Sequence, residues 1–225
     1  MSSTQLQTWA ADQATEDDMN HEHAPFWRRL IALMVERDLF GKSVLDFGCN
    51  QGGLLRALYH SHGYAEALGV DLASGSIARA NALVGPVPAR FEVRENLDGL
   101  EGKFDVALSQ EVLYLLPDLD RHAREIYSSL KAGGVYYAAI GCHSDNPEWP
   151  RWRELIPPVS NLPVHSYSLD DFNRAFAGAG FEVYAQPFRI EEFVPLAQDG
   201  FMGGVAATLH YYHAVKTLFR CIKRA

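Results

Sequence analysis

Five short apolar runs alternate with segments of helical periodicity between residues 43 and 140, and this alternation restricts the chain to few folds. The runs occupy residues 43–47, 67–71, 91–93, 104–109 and 135–140. The last two are apolar on both faces, as central strands of a parallel sheet are. Helices are expected from near Gly52 to about His60, over 75–83 with Ser74 as cap, and over about 118–131, ending at Gly133-Gly134. Strands and helices in turn argue a parallel sheet covered on both faces. Ser168 caps a further helix over 169–179, residues 181–184 begin a sixth strand, and 214–223 supply an antiparallel seventh.

The first strand runs into the turn Asp46-Phe47-Gly48-Cys49-Asn50-Gln51-Gly52. A strand, a Gly-containing turn and a helix N-terminus bring backbone close to a ligand, and only small residues permit that approach. Asp46 would repel a pyrophosphate there and attract a cation. Asp71 ends the second strand, where an acid takes ribose hydroxyls in nucleotide-binding βαβ units. The two acids suit a nucleoside with a ribose and a positive charge but no phosphate, and S-adenosylmethionine is such a molecule.

The chain resembles the class I S-adenosylmethionine-dependent methyltransferases. Their Asp-x-Gly-x-Gly-x-Gly pattern stands here as residues 46–52, with Asn50 at the middle Gly. Asn is the non-Gly residue best able to hold a left-handed backbone. Residues 104–113, the turn Leu130-Lys131-Ala132-Gly133-Gly134 and Ala179-Gly180-Phe181 resemble later family segments. The resemblance implies an α/β, Rossmann-like doubly wound sheet of seven strands, mostly parallel with an antiparallel last strand. It implies cofactor contacts from Asp46, Gly48, Cys49, Asn50, Gln51, Gly52, Asp71, Leu72 and Gln110. Asn96, in competition with Glu95 and Asp98, would meet the adenine.

A single domain is expected at 225 residues, with a helical cap over 1–39 and a lid over 144–167. Five prolines from 147 to 163 rule out a long regular element in the lid. A net charge of −8 argues against a nucleic-acid partner. No apolar stretch reaches 18 residues and the polar N-terminus is no secretory signal, so a cytoplasmic protein without membrane contact is expected. Three scattered cysteines suit a reducing compartment, and Cys49 reads as a small turn residue. No metal is expected, because His210 and His213 lack a completing ligand.

The expected activity is methyl transfer to a small-molecule acceptor, with oligomeric state left open. His143, after the fifth strand, is the candidate base, and Glu111 a second catalytic candidate. His21 and His23 could close over the pocket, while His60, His62 and His122 read as surface residues. Trp149, Trp152, Tyr114 and Tyr167 could wall an apolar substrate. The competing readings are an NAD(P)-dependent oxidoreductase, opposed by Asp46 and the absence of G-x-G-x-x-G, and a cofactor-binding module without catalysis.

Overall fold

The computed structural model describes residues 6–194, 196 and 201–225. Seven strands form one sheet in the order β3-β2-β1-β4-β5-β7-β6. Strands β1 (Ser43–Phe47), β2 (Glu66–Asp71), β3 (Ala89–Val93), β4 (Phe104–Gln110) and β5 (Leu130–Ile140) pair in parallel. Strand β7 (Thr217–Ile222) lies between β5 and β6 (Glu182–Pro187), antiparallel to both. The seven-stranded Rossmann-like arrangement is therefore as expected. Strand β1 carries β2 on one side and β4 on the other, so the connectivity reverses there. Open α/β sheets leave a crevice at the carboxyl ends of the strands at such a point.

Helices α1 (Gln13–Glu22), α2 (Ala24–Leu33), α3 (Gly53–His62), α4 (Ser74–Leu83), α5 (Leu119–Ser129), α6 (Trp149–Leu155), α7 (Leu169–Gly178) and α8 (Val205–His210) surround the sheet. Two hydrophobic clusters result. One joins Ile126, Phe172 and Phe176 of α5 and α7 to Tyr136 and Phe219. The other joins Leu30, Leu55, Leu58 and Ile77 of α2, α3 and α4 to Tyr137. Adjacent Tyr136 and Tyr137 serve opposite clusters because successive strand residues face opposite ways. Each such buried side chain contributes roughly 1.5–3 kcal/mol. Their hydroxyls are satisfied: Tyr136 meets Ser109 Oγ at 2.6 Å and His122 Nε2 at 3.0 Å, and Tyr137 donates to Glu36 at 2.5 Å.

Several boundaries differ from the sequence reading. Helix α5 stops at Ser129, and the chain through Gly133-Gly134 joins β5. The N–H of Gly133 donates to Lys223 O and that of Lys223 to Gly134 O, both at 2.9 Å. Hydrogen bonds to the far end of the chain override the local glycine stop. Ser74 is no cap: Ala73 holds that position, and Ser74 Oγ donates to Leu6 O at 3.0 Å. Residues 211–215 form a π-helical turn, so β7 starts at Thr217. His122 is buried against Tyr136 instead of lying at the surface, and burial pushes it down to about 3. The capping box of Ser168 and Asp171 on α7 is present. Among the described residues, no helix is long and apolar enough to cross a membrane.

Candidate functional site

The loop from β1 to α3 is held by its own hydrogen bonds. The N–H groups of Gly48 and Cys49 donate to Val70 O at 2.8 and 3.0 Å. That of Asn50 donates to Asp71 Oδ2 at 2.9 Å, that of Gln51 to Asn50 Oδ1 at 2.7 Å, and that of Gly52 to Cys49 O at 2.8 Å. All five donors of residues 48–52 are thus satisfied within the fold. A phosphate cradle needs such groups free to meet the anion, so the loop is not one. Gly48 has φ +75°, and a Cβ there would approach Val112 to 2.4 Å. Asn50 adopts φ +47°, the left-handed conformation expected of it.

Asn50 also does what glycine could not. Its Nδ2 donates to Glu16 Oε1 at 3.0 Å, and Gln51 Nε2 donates to Asp17 Oδ1 at 2.6 Å. Both acids belong to α1. Glu16 is buried and accepts in addition from Ser76 Oγ and from the Ala10 N–H at 3.1 Å. The N-terminal segment is tied in turn to residues 159–161. Ala11 N–H donates to Val159 O at 3.0 Å, and Asn161 Nδ2 donates to Thr8 O and Ala10 O at 3.1 and 2.8 Å.

Between these segments and the sheet edge lies a cavity of about 830 Å³, at the upper end of the usual range for small-molecule sites. Asp46 lines it from the β1 tip, with Oδ2 buried and without a partner. Burial, with Asp71 adding repulsion, pushes Asp46 up to about 8. Asp71 accepts from the N–H groups of Asn50 and Ala73, each at 2.9 Å, and burial still raises its pKa. Gln110, at the tip of β4, lines the cavity with its Oε1 buried and unpartnered. Burial, with Asp46 and Asp71 nearby, holds the Cys49 thiol far above its ordinary range, so it is no thiolate nucleophile.

A second polar group sits at the opposite wall. Glu111, at φ +54°, accepts from Lys216 Nζ and from the Gly141 N–H at 3.1 Å, with Tyr211 OH 3.5 Å away. Burial alone would raise its pKa, but the Lys216 ammonium outweighs that and leaves it lowered. Lys216 is 3% exposed and lies 5.0 Å from the Phe26 ring centroid. Burial, aided by Lys216, pushes His23 down to about 4.

The structure brings most of the expected residues together. Asp46, Gly48, Cys49, Asn50, Asp71, Leu72, Gln110 and Glu111 all line the cavity, as do His23, Tyr114 and Trp152. Gln51, Gly52, Asn96, His21, Trp149 and Tyr167 do not. Asn96 Oδ1 instead accepts from the Asp98 N–H at 3.1 Å, and Arg94 and Glu95 face the cavity. His143 lies outside it. Its ring is buried, Nε2 meets Val215 O at 3.1 Å, and burial lowers its pKa. A base role would need the ring to reach the cavity, and it does not. Sequence reading missed Lys216, Tyr211 and Glu16. Their roles depend on contacts across 105, 100 and 60 residues, and no local pattern marks them.

S-adenosylmethionine fits the donors and acceptors present. Asp46 Oδ2 and Gln110 Oε1 are two buried acceptors awaiting a donor, and an α-ammonium supplies one. Asp71 keeps lone pairs free for ribose hydroxyls, and Arg94 and Glu95 line the neighbouring wall. The comparisons with known proteins agree. The family described as "Methyltransferase domain" matches residues 19–186. A trans-aconitate 2-methyltransferase of Deinococcus radiodurans is 32% identical over 139 residues, 62% of this chain and 52% of that protein. A ubiquinone biosynthesis O-methyltransferase of Idiomarina loihiensis is 37% identical over 108 residues, 45% of this chain and 44% of that one. The chain spans about half the length, or less, of these curated relatives. Among solved structures, the protein in complex with the Haloferax volcanii Trm112 methyltransferase activator superposes with TM-score 0.81 at 22% identity, covering 95% of both chains. A Haemonchus contortus phosphoethanolamine N-methyltransferase, solved with S-adenosylmethionine, gives 0.71 at 17% identity, covering 96% of this chain and 59% of that one. These two likenesses concern the fold. With three quarters of its length matched by the family, the chain belongs to the methyltransferase domain family, of the class I, S-adenosylmethionine-dependent type.

Proposed function

We propose that this chain transfers the methyl group of S-adenosylmethionine to a small-molecule acceptor by in-line displacement. The observation that carries the reading is the juxtaposition, in one cavity, of Asp71 with the unpartnered acceptors of Asp46 and Gln110. The cofactor supplies an already activated methyl group. The protein's part is then to bind, align and exclude water. Asp46 and Gln110 take the α-amino group, Asp71 the ribose, and the wall at Arg94 and Glu95 the adenine end. Glu111, held below its ordinary pKa by Lys216, is a weak base. It fixes Lys216 and Tyr211 at the acceptor side, and rate comes from alignment.

The N-terminal cap, residues 1–39, and the lid, 144–167, close the acceptor side of a single domain. Their support is the set of hydrogen bonds from residues 8–11 to 159–161 and the grip of Glu16 and Asp17 on the cofactor loop. The three buried free cysteines fit a reducing compartment such as the cytoplasm. The relatives named above act, by their names, on trans-aconitate and in ubiquinone biosynthesis, so the acceptor must be decided from this cavity. An oxidoreductase is disfavoured because the loop has no free N–H group for a pyrophosphate. Calorimetry with S-adenosylhomocysteine and with NADH tests the reading. Binding of the first alone is expected, and binding of NADH alone would refute it.

A further inference from the structure

Among the described residues, four groups lining the cavity bury a nitrogen or oxygen that has no partner: Asp46 Oδ2, Gln110 Oε1, Trp9 Nε1 and His165 Nε2. The first two are acceptors at the strand tips and fall to the cofactor. The other two do not. Trp9 stands in the cap and His165 in the lid. The indole N–H of Trp9 only donates, so its partner must be an acceptor, while His165 Nε2 donates or accepts according to tautomer. Both segments are fixed with respect to each other, because Asn161 N–H donates to Trp9 O at 2.8 Å and the Asn161 side chain holds Thr8 O and Ala10 O. The His165 N–H in turn donates to Tyr114 O at 2.7 Å.

The surroundings decide the charge of what fits between them. Phe26, Val112, Tyr114, Leu116, Trp152 and Met202 give the cavity apolar and aromatic walls. Among the described residues, two cationic side chains line it. Lys216, at the acceptor side, is paired with Glu111. Arg94 lies at the wall given to the adenine end, its Nε 2.9 Å from a Glu92 carboxylate that also meets Arg90 Nε at 3.1 Å. The cation at the acceptor side is thus already neutralised, and no second one stands there for an anionic acceptor. A buried carboxylate or phosphate without a counter-ion is strongly disfavoured. An ammonium fares no better, since the buried acid at this wall, Glu111, is already neutralised and the indole N–H would face a second donor.

Resting on the methyltransferase reading of this cavity, we infer that the methyl acceptor is an uncharged, largely apolar molecule whose oxygen accepts the indole N–H of Trp9, with a second polar group meeting His165 Nε2. Phenols belong to this class: the O–H bond breaks as the oxygen takes the methyl group, S-adenosylhomocysteine leaves and the proton passes to solvent, while a carbonyl or ether oxygen elsewhere on the molecule serves as the acceptor for the Trp9 N–H.

The test uses the full chain saturated with S-adenosylhomocysteine and three probes on one naphthalene frame: 2-acetylnaphthalene, 2-naphthoate and 2-(aminomethyl)naphthalene. Calorimetry is expected to show the ketone binding at least tenfold tighter than the carboxylate and the amine. Trp9→Phe should weaken the ketone about fivefold, the loss of one net hydrogen bond, with affinity for S-adenosylhomocysteine retained. His165→Phe should weaken a fourth probe, 2-naphthol, which can also donate, by a similar factor. A carboxylate or amine that binds as tightly as the ketone overturns the inference. So does failure of all three probes to bind, or a Trp9→Phe protein that holds the ketone as wild type does. Failure to bind S-adenosylhomocysteine at all would instead overturn the methyltransferase reading beneath it.

Discussion

If Asp46 takes the α-amino group as proposed, cofactor affinity should depend on pH, and the size of the effect follows from the burial of this carboxyl. Burial, with Asp71 adding repulsion, pushes its carboxyl up to about 8 in the cofactor-free protein. Contact with an α-ammonium requires the ionised form, so binding below that pH must expel a proton. Between pH 6 and pH 8 the ionised fraction rises from roughly 1% to about half. S-adenosylhomocysteine should therefore bind about 50-fold tighter at pH 8 than at pH 6, about 2.3 kcal/mol. Calorimetry at pH 7 in two buffers of different ionisation enthalpy should report about 0.9 proton released per ligand, by the same titration. Asp46→Asn should bind weakly and lose most of this slope, with any remainder reporting the burial-raised Asp71. The sign for stability is the opposite. A folded-state pKa raised above the unfolded value means the folded protein holds the proton more tightly. The contribution of Asp46 to cofactor-free stability is thus lost as pH rises from about 4 towards about 8, and S-adenosylhomocysteine restores it. Wild-type affinity constant within threefold from pH 6 to pH 8, or an equal slope in Asp46→Asn, would refute this reasoning.

Three further outcomes are expected. Asp71→Asn removes a charged acceptor that also holds the Asn50 and Ala73 N–H groups. S-adenosylhomocysteine affinity should fall by about 1.5–3 kcal/mol, and a value within twofold of wild type would remove Asp71 from the site. Glu111→Gln leaves the Lys216 ammonium buried and unpaired, a cost of about 3–5 kcal/mol in urea unfolding. The double variant Glu111→Gln with Lys216→Met should recover most of it, and a double variant as unstable as the single one would show that the pair is not the cause. Glu16→Ala releases Asn50 Nδ2, Ser76 Oγ and the Ala10 N–H together. Amide exchange over 13–22 should accelerate at least tenfold, and unchanged protection there would mean that other contacts hold α1.

The parallel sheet, the β1 turn and its two acids are legible along the chain. Each of these is written within a few neighbouring residues: an apolar run, a Gly or Asn able to turn, and a carboxylate at the strand end. Asp46 and Asp71 both reach the cavity because a strand fixes where the side chains at its carboxyl end point. The rest depends on contacts between segments far apart in the chain. Asn50 looks like a departure from the motif until α1 is folded back, when its amide proves to be the anchor for Glu16. His143 follows an apolar strand as a positioned base would, yet pairing with distant chain turns its ring to Val215. His122, polar in sequence, is drawn into the core by Tyr136. Lys216 opposes Glu111 only because β7 returns beside β5. Which face a side chain serves, and which charge meets it, depends on partners 100 or so residues away. Local periodicity carries no record of them, and so the chemistry of the cofactor end was legible in the chain while that of the acceptor end arose only on folding.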